Sequence, residues 1–184
     1  MQKSILVLLV FVLFSFTSDK LVKVKLTDKV TIFIPESFSS MTSDDMKLRY
    51  ESYRLPLALY SDPSRLVDFG VNRSYSMWQQ EGKPADLEMM SQFYEASLME
   101  LYDKVTYIDK GVKEVNGHKF LFFEFQSVVF PENDYQDSAR KYTYLMYGIS
   151  EGTTYLFNFT CAQNLQEEWQ PTANNIMSQI KLKY

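Results

Sequence analysis

The sequence predicts an α+β protein, an antiparallel sheet with helices covering both of its faces, and three observations carry that reading. The stretch from Val105 to Cys161 holds two consecutive hairpin patterns, VTYIDKGVKEV–NG–HKFLFFEFQSVVF and KYTYLMYGIS–EGT–TYLFNFTC. Its first turn, Asn116-Gly117, suits a type I′ turn, which needs positive φ at both central residues. The strand after that turn places Phe120, Phe122 and Glu124 on one face and Leu121, Phe123 and Phe125 on the other. Both faces are apolar through its first half, so both require cover. Helical patterns are interspersed with the strands along the chain, giving about six to eight strands and about three helices.

In chain order, Lys3 precedes a 12-residue apolar run, Ile5 to Phe16, and then Thr17-Ser18-Asp19-Lys20. A basic start and a short apolar run describe a secretory signal peptide over 1–18, leaving one domain over 19–184. The run is shorter than the roughly 20 residues of a spanning helix. Cleavage after Ser18 leaves Phe16 where a small residue is expected, so a retained N-terminal anchor is the alternative. The absence of cysteine near residue 20 argues against a bacterial lipoprotein.

Val22 to Leu26 and Val30 to Pro35 read as two strands, the second ended by its proline. Ser43-Asp44-Asp45 opens a helix through about Tyr53, with a capping serine and acids in its first turn. Leu57 to Tyr60 and Val67 to Met77 read as strands joined by the turn Ser61-Asp62-Pro63-Ser64. A long helix from about Pro84 to Tyr102 follows, with Leu87, Met90, Tyr94, Leu98 and Leu101 as its stripe and Phe93 and Ala96 widening it. After the two hairpins, Trp169, Ala173, Ile176, Met177 and Ile180 mark a last helix, expected to start at Gln170 or Pro171 because proline breaks a helix interior.

Of the 184 residues, 46% are hydrophobic, which suits one globular domain. The 13 Tyr and 14 Phe favour a β-rich fold. A net charge of −4 lacks the basic footprint of a nucleic-acid binder. The single cysteine excludes an internal disulfide. The expected location is outside the cytoplasm, periplasmic or secreted, in a bacterial envelope.

The segments VTIFIP, VNGHKFLFFEF and EGTTYLFNFTCAQNLQEEWQPTANNIMSQIKL together resemble the PsbP-like superfamily over about residues 22 to 184. That group includes the extrinsic PsbP subunit of photosystem II, bacterial DcrB-like proteins and a nuclear import factor that binds a small GTPase. The resemblance implies an α/β/α sandwich with a central antiparallel sheet. It carries no catalytic signature, and its members act as assembly subunits, binding partners or exported proteins without assigned activity.

The side chains that carry chemistry are few. His118, the only histidine, follows the turn directly and is expected at an exposed hairpin end. Cys161 is expected to face inward as a small inert hydrophobe. Neither has a partner in the sequence for a triad or a zinc site. Glu124 is the one carboxylate worth weighing for glycoside-type hydrolysis, against the simpler expectation that its strand becomes half exposed there. The loop Pro131 to Ser138 gathers Glu132, Asn133, Asp134 and Asp137, but without the spacing of a calcium loop. Asn72-Arg73-Ser74 and Asn158-Phe159-Thr160 match the glycosylation pattern, which carries meaning only outside bacteria. Tyr135, Tyr142, Tyr144 and Tyr147 cluster before and along the third core strand, with Tyr142 and Tyr144 on one face and Tyr147 opposite. Together with Glu124, the residues Tyr135, Tyr142 and Tyr144 are the candidates for a ligand groove, although core packing explains tyrosines there more simply. No cofactor and no metal is expected. The expected function is binding of a protein or small-molecule partner without catalysis; the alternative is a carboxylate-dependent hydrolase.

Overall fold

The computed structural model describes residues 20–49, 55–79, 83–131 and 137–183. The segment 1–18 expected to be a signal peptide, Tyr135 with most of its acidic loop, and the expected end of the first helix around Tyr53 lie outside the described residues.

Ten strands and three helices are described. β1 (Leu21–Lys25), β2 (Val30–Pro35) and the two-residue β10 (Lys181–Leu182) form a small antiparallel sheet in the order β1-β2-β10. β3 (Ser39–Ser40), β4 (Ala58–Ser61), β5 (Val67–Tyr75), β6 (Lys104–Val115), β7 (His118–Val129), β8 (Ala139–Ser150) and β9 (Thr153–Ala162) form the main sheet. Its order is β3-β4-β5-β9-β8-β7-β6, antiparallel throughout. The helices are α1 (Ser43–Arg49), α2 (Leu87–Leu101) and α3 (Gln166–Gln179).

The period-2 reading of β7 holds on both faces. Phe120 and Phe122 join Tyr142, Tyr144, Phe157 and Phe159 in a core closed by Ala173, Ile176 and Met177 of α3 and by Val30, Ile32 and Ile34 of β2. Leu121, Phe123 and Phe125 join Leu145, Tyr147 and Ile149 in a second core closed by Met90 and Leu98 of α2. Each such large apolar side chain contributes about 1.5–3 kcal/mol on burial. The Asn116-Gly117 turn has φ of 51° and 78°, the positive pair that a type I′ hairpin requires. At Gly148 the chain needs glycine for space: a Cβ there would stand 2.5 Å from Phe120 and 2.7 Å from Leu182.

Several expectations need correction. The first two strands leave the main sheet and, with β10, cover one of its faces, because Val30, Ile32 and Ile34 all point into the core. Thr42, not Ser43, caps α1: its Oγ1 accepts from the Asp45 N–H at 3.1 Å while Asp45 accepts from the Thr42 N–H. This reciprocal arrangement is a capping box. α2 starts at Leu87, where Asp86 accepts from the Met89 N–H at 2.9 Å; Pro84 and Ala85 precede it. Its buried stripe is narrower than expected, since Phe93 and Leu101 are exposed. α3 starts at Gln166 after a 3₁₀ turn, Gln163–Leu165, and Pro171 lies inside it. The proline forfeits one hydrogen bond near the helix start, a loss outweighed by the buried face of Ala173, Ile176 and Met177.

β6 forms one edge of the main sheet. A bulge between Tyr107 and Asp109 interrupts its pairing, and Lys104, Lys110 and Lys113 punctuate it. Both devices discourage a second sheet from adding to that edge.

Candidate functional site

Glu124 lies where α3 crosses the main sheet and is only 5% exposed, so the expectation of a half-exposed strand there is corrected. Its Oε1 accepts from the Tyr142 hydroxyl at 2.7 Å and from Gln170 Nε2 of α3 at 2.6 Å. Glutamines extend the chain of bonds: Gln166 donates to Gln170 at 3.2 Å, Gln126 to Gln166 at 2.7 Å, and Gln163 to Gln126 at 2.9 Å. Burial, then the bond and charge of Glu124, push the Tyr142 hydroxyl far above the usual tyrosine range. Tyr144 is raised in the same direction by burial and by the charges of Glu124 and Asp109. Lys113 donates to the Tyr144 hydroxyl, and its ammonium sits 5.0 Å from the Phe122 ring and 4.7 Å from the Tyr144 ring. Burial lowers the pKa of Lys113, against the pull of Glu124 and Asp109.

The structure therefore brings three of the four sequence candidates together: Glu124, Tyr142 and Tyr144 occupy one buried polar cluster. Tyr135 lies outside the described residues. Tyr147 points to the opposite face, where its ring stacks on Tyr94 of α2 at 4.1 Å. The cluster is a lid-bearing core: a carboxylate engaged by a tyrosine and a glutamine, with α3 laid over it. Such a bonded network fixes the seat of a helix.

Cys161 is buried, and desolvation with the Glu168 charge raises its thiol to about 12. That environment makes it unreactive.

His118 departs most from its expectation. It is 3% exposed, its ring stands 5.1 Å from that of Phe120, and it shares a hydrogen bond with the Ile149 backbone. Burial lowers its pKa below the ordinary 6.5, so the imidazole is neutral at pH 7. It also lines a cavity of about 320 Å³ at the turn end of the β6–β7 hairpin. Gln79, Pro84, Ala85, Leu87 and Ile149 line it too, together with Glu114 and Lys119, which are register partners in the hairpin and both exposed. The volume matches a small-molecule site. Apolar lining, a neutral imidazole and exposed charges of both signs suit a small amphipathic molecule with a polar head.

The sequence reading missed this cavity except for His118. Gln79, Pro84, Ala85 and Leu87 come against the hairpin turn only through the tertiary fold, and the one local signal is the Pro84-Ala85 break ahead of α2. Among the described residues no group of three or more His, Cys, Asp or Glu is placed to hold a metal ion. No described helix is long and apolar enough to cross a membrane.

No family model matches the sequence, and no curated protein matches it. Solved structures match at the level of fold. Cyanobacterial PsbP (CyanoP) from Synechocystis sp. PCC 6803 superposes with a TM-score of 0.62 at 9% identity, over 89% of this chain and 93% of that one. LpqN, a protein involved in cell envelope biogenesis of Mycobacterium tuberculosis, gives 0.55 at 12% identity, over 90% and 91% of the two chains. The sandwich of a main antiparallel sheet between α2 on one face and α3 with the small sheet on the other is the fold this chain shares with cyanobacterial PsbP and LpqN.

Proposed function

We propose that this chain is an exported, non-enzymatic protein of the cell envelope that binds a small amphipathic molecule at the turn end of the β6–β7 hairpin. The observation that carries this reading is the cavity of about 320 Å³ lined by neutral His118 and by the exposed Glu114 and Lys119. Export draws support from the N-terminal apolar run, and from the likeness in fold to LpqN, a protein described as involved in cell envelope biogenesis. The carboxylate-dependent hydrolase has less behind it. Glu124 is committed to Tyr142 and Gln170 beneath α3 and does not line the cavity.

The test is native mass spectrometry of the protein purified from its own cells without denaturation. The expected spectrum contains a small-molecule adduct, and Ala85→Trp, which fills the cavity from its wall, abolishes it at unchanged melting temperature. A bare chain mass in both proteins counts against ligand binding. An adduct that survives Ala85→Trp places the ligand elsewhere.

A further inference from the structure

The outer surface of α2 has a second character that the cavity does not use. Met90 and Leu98 face the sheet, whereas Met89 and Phe93, one helical turn apart, are 59% and 51% exposed. Met77 beside them is 73% exposed. This strip is continuous with a fixed aromatic group, because the Trp78 ring lies 5.2 Å from Phe93 and 5.9 Å from Tyr94. Met77, Trp78 and Met89 line a hollow of about 360 Å³ together with Pro84, Lys83 and Asp86.

The charge on the helix itself is one-sided. Leu87–Leu101 contains Glu88, Glu95 and Glu100 and no lysine or arginine, and Asp86 and Asp103 flank it. Of the neighbouring cations, Lys110 is paired with Glu95, and Lys83 lines the hollow. An exposed apolar strip of this kind marks an interaction surface. Methionine adapts to varied apolar partners. A rim of carboxylates selects a cationic one.

We propose that the outer face of α2 docks a basic amphipathic segment of another protein. The segment's apolar side covers Met89, Phe93 and Met77. A lysine or arginine lays its aliphatic stem against Trp78 in the hollow and turns its charge toward Asp86. A second copy of this chain would set carboxylates against carboxylates, and an anionic lipid surface would meet the same repulsion.

The proposal is independent of the cavity at His118 and is tested separately. The probe is a fluorescein-labelled Leu/Lys amphipathic helical peptide, compared by anisotropy with the same peptide carrying Glu in place of every Lys. Saturable binding of the Lys peptide is expected, weakened by added salt, with no binding of the Glu peptide. Phe93→Lys and Met89→Lys should each raise Kd about tenfold or more, roughly 1.4 kcal/mol. Leu66→Lys, in the β4–β5 turn, should bind as the parent does; melting temperatures report that each variant is folded. Equal binding of the two peptides overturns the proposal, as does parent-like affinity in Phe93→Lys. So does the finding that the α2 variants abolish self-association or co-sedimentation with phosphatidylglycerol vesicles in place of peptide binding.

Discussion

The middle and the start of β7 make the most instructive contrast in the molecule. At mid-strand, Glu124 is buried with its carboxylate engaged by Tyr142 and Gln170, and α3 closes over it. At the turn end, His118 is equally buried but lines a cavity together with Glu114 and Lys119. Both are polar side chains inside an aromatic core. What separates them is whether the space around them is filled. Where a helix fills it, the polar group specifies packing; where a cavity remains, it is the group we propose meets a ligand. Substitutions near Glu124 should therefore act on stability, and substitutions around the turn end should act on stability weakly.

Glu124→Ala is the largest expected effect, because it strips the acceptor from a buried tyrosine hydroxyl and a glutamine amide at once. A loss of about 3 kcal/mol in urea unfolding is expected. A loss under about 0.5 kcal/mol would show that the cluster is not closed.

Gly148→Ala should cost about 2 kcal/mol, since its Cβ would collide with Phe120 and Leu182 in the packed core. Gly117→Ala, at the open turn, meets nothing within 4 Å and suffers only its φ of 78°. About 1 kcal/mol is the expected cost. Equal midpoint shifts for the two glycines would erase the contrast between packed core and open turn.

The smallest effect is on pH dependence. Burial keeps the pKa of His118 below 6.5, so just under pH 6.5 the unfolded chain takes up a proton that the folded chain does not. Stability is thus undiminished above about pH 6.5 and falls as pH drops below it. His118→Gln should flatten the slope of the urea midpoint between about pH 6.5 and 5.5. An unchanged slope would mean that the imidazole is solvated after all.

What the sequence made legible follows from how local each feature is. The two-faced burial of Phe120 to Phe125 could be read because side chains alternate strictly along a strand, and the turn because Asn-Gly is tied to positive φ. The same alternation placed Tyr142 and Tyr144 together and Tyr147 opposite. Local rules failed where distant chain decides. Pro171 is tolerated because Ala173, Ile176 and Met177 hold α3 against the core. Glu124 is covered because Gln170, on that same helix, reaches it. His118 is buried where Gln79, Pro84, Ala85 and Leu87 meet a turn some thirty residues further along, lining a cavity that no pattern near the histidine announces.

The central claim is that this cavity receives a small amphipathic ligand, and the chain holds a built-in reporter for it. His118 is the only histidine, so its imidazole carbon-bound protons give unambiguous NMR resonances. The decisive measurement records them while small-molecule extract from the native cells is added to the purified protein. The account predicts a saturable shift of the His118 signals that is lost in Ala85→Trp. Signals that stay fixed while the extract demonstrably binds, seen as shifts elsewhere in the spectrum, would contradict it.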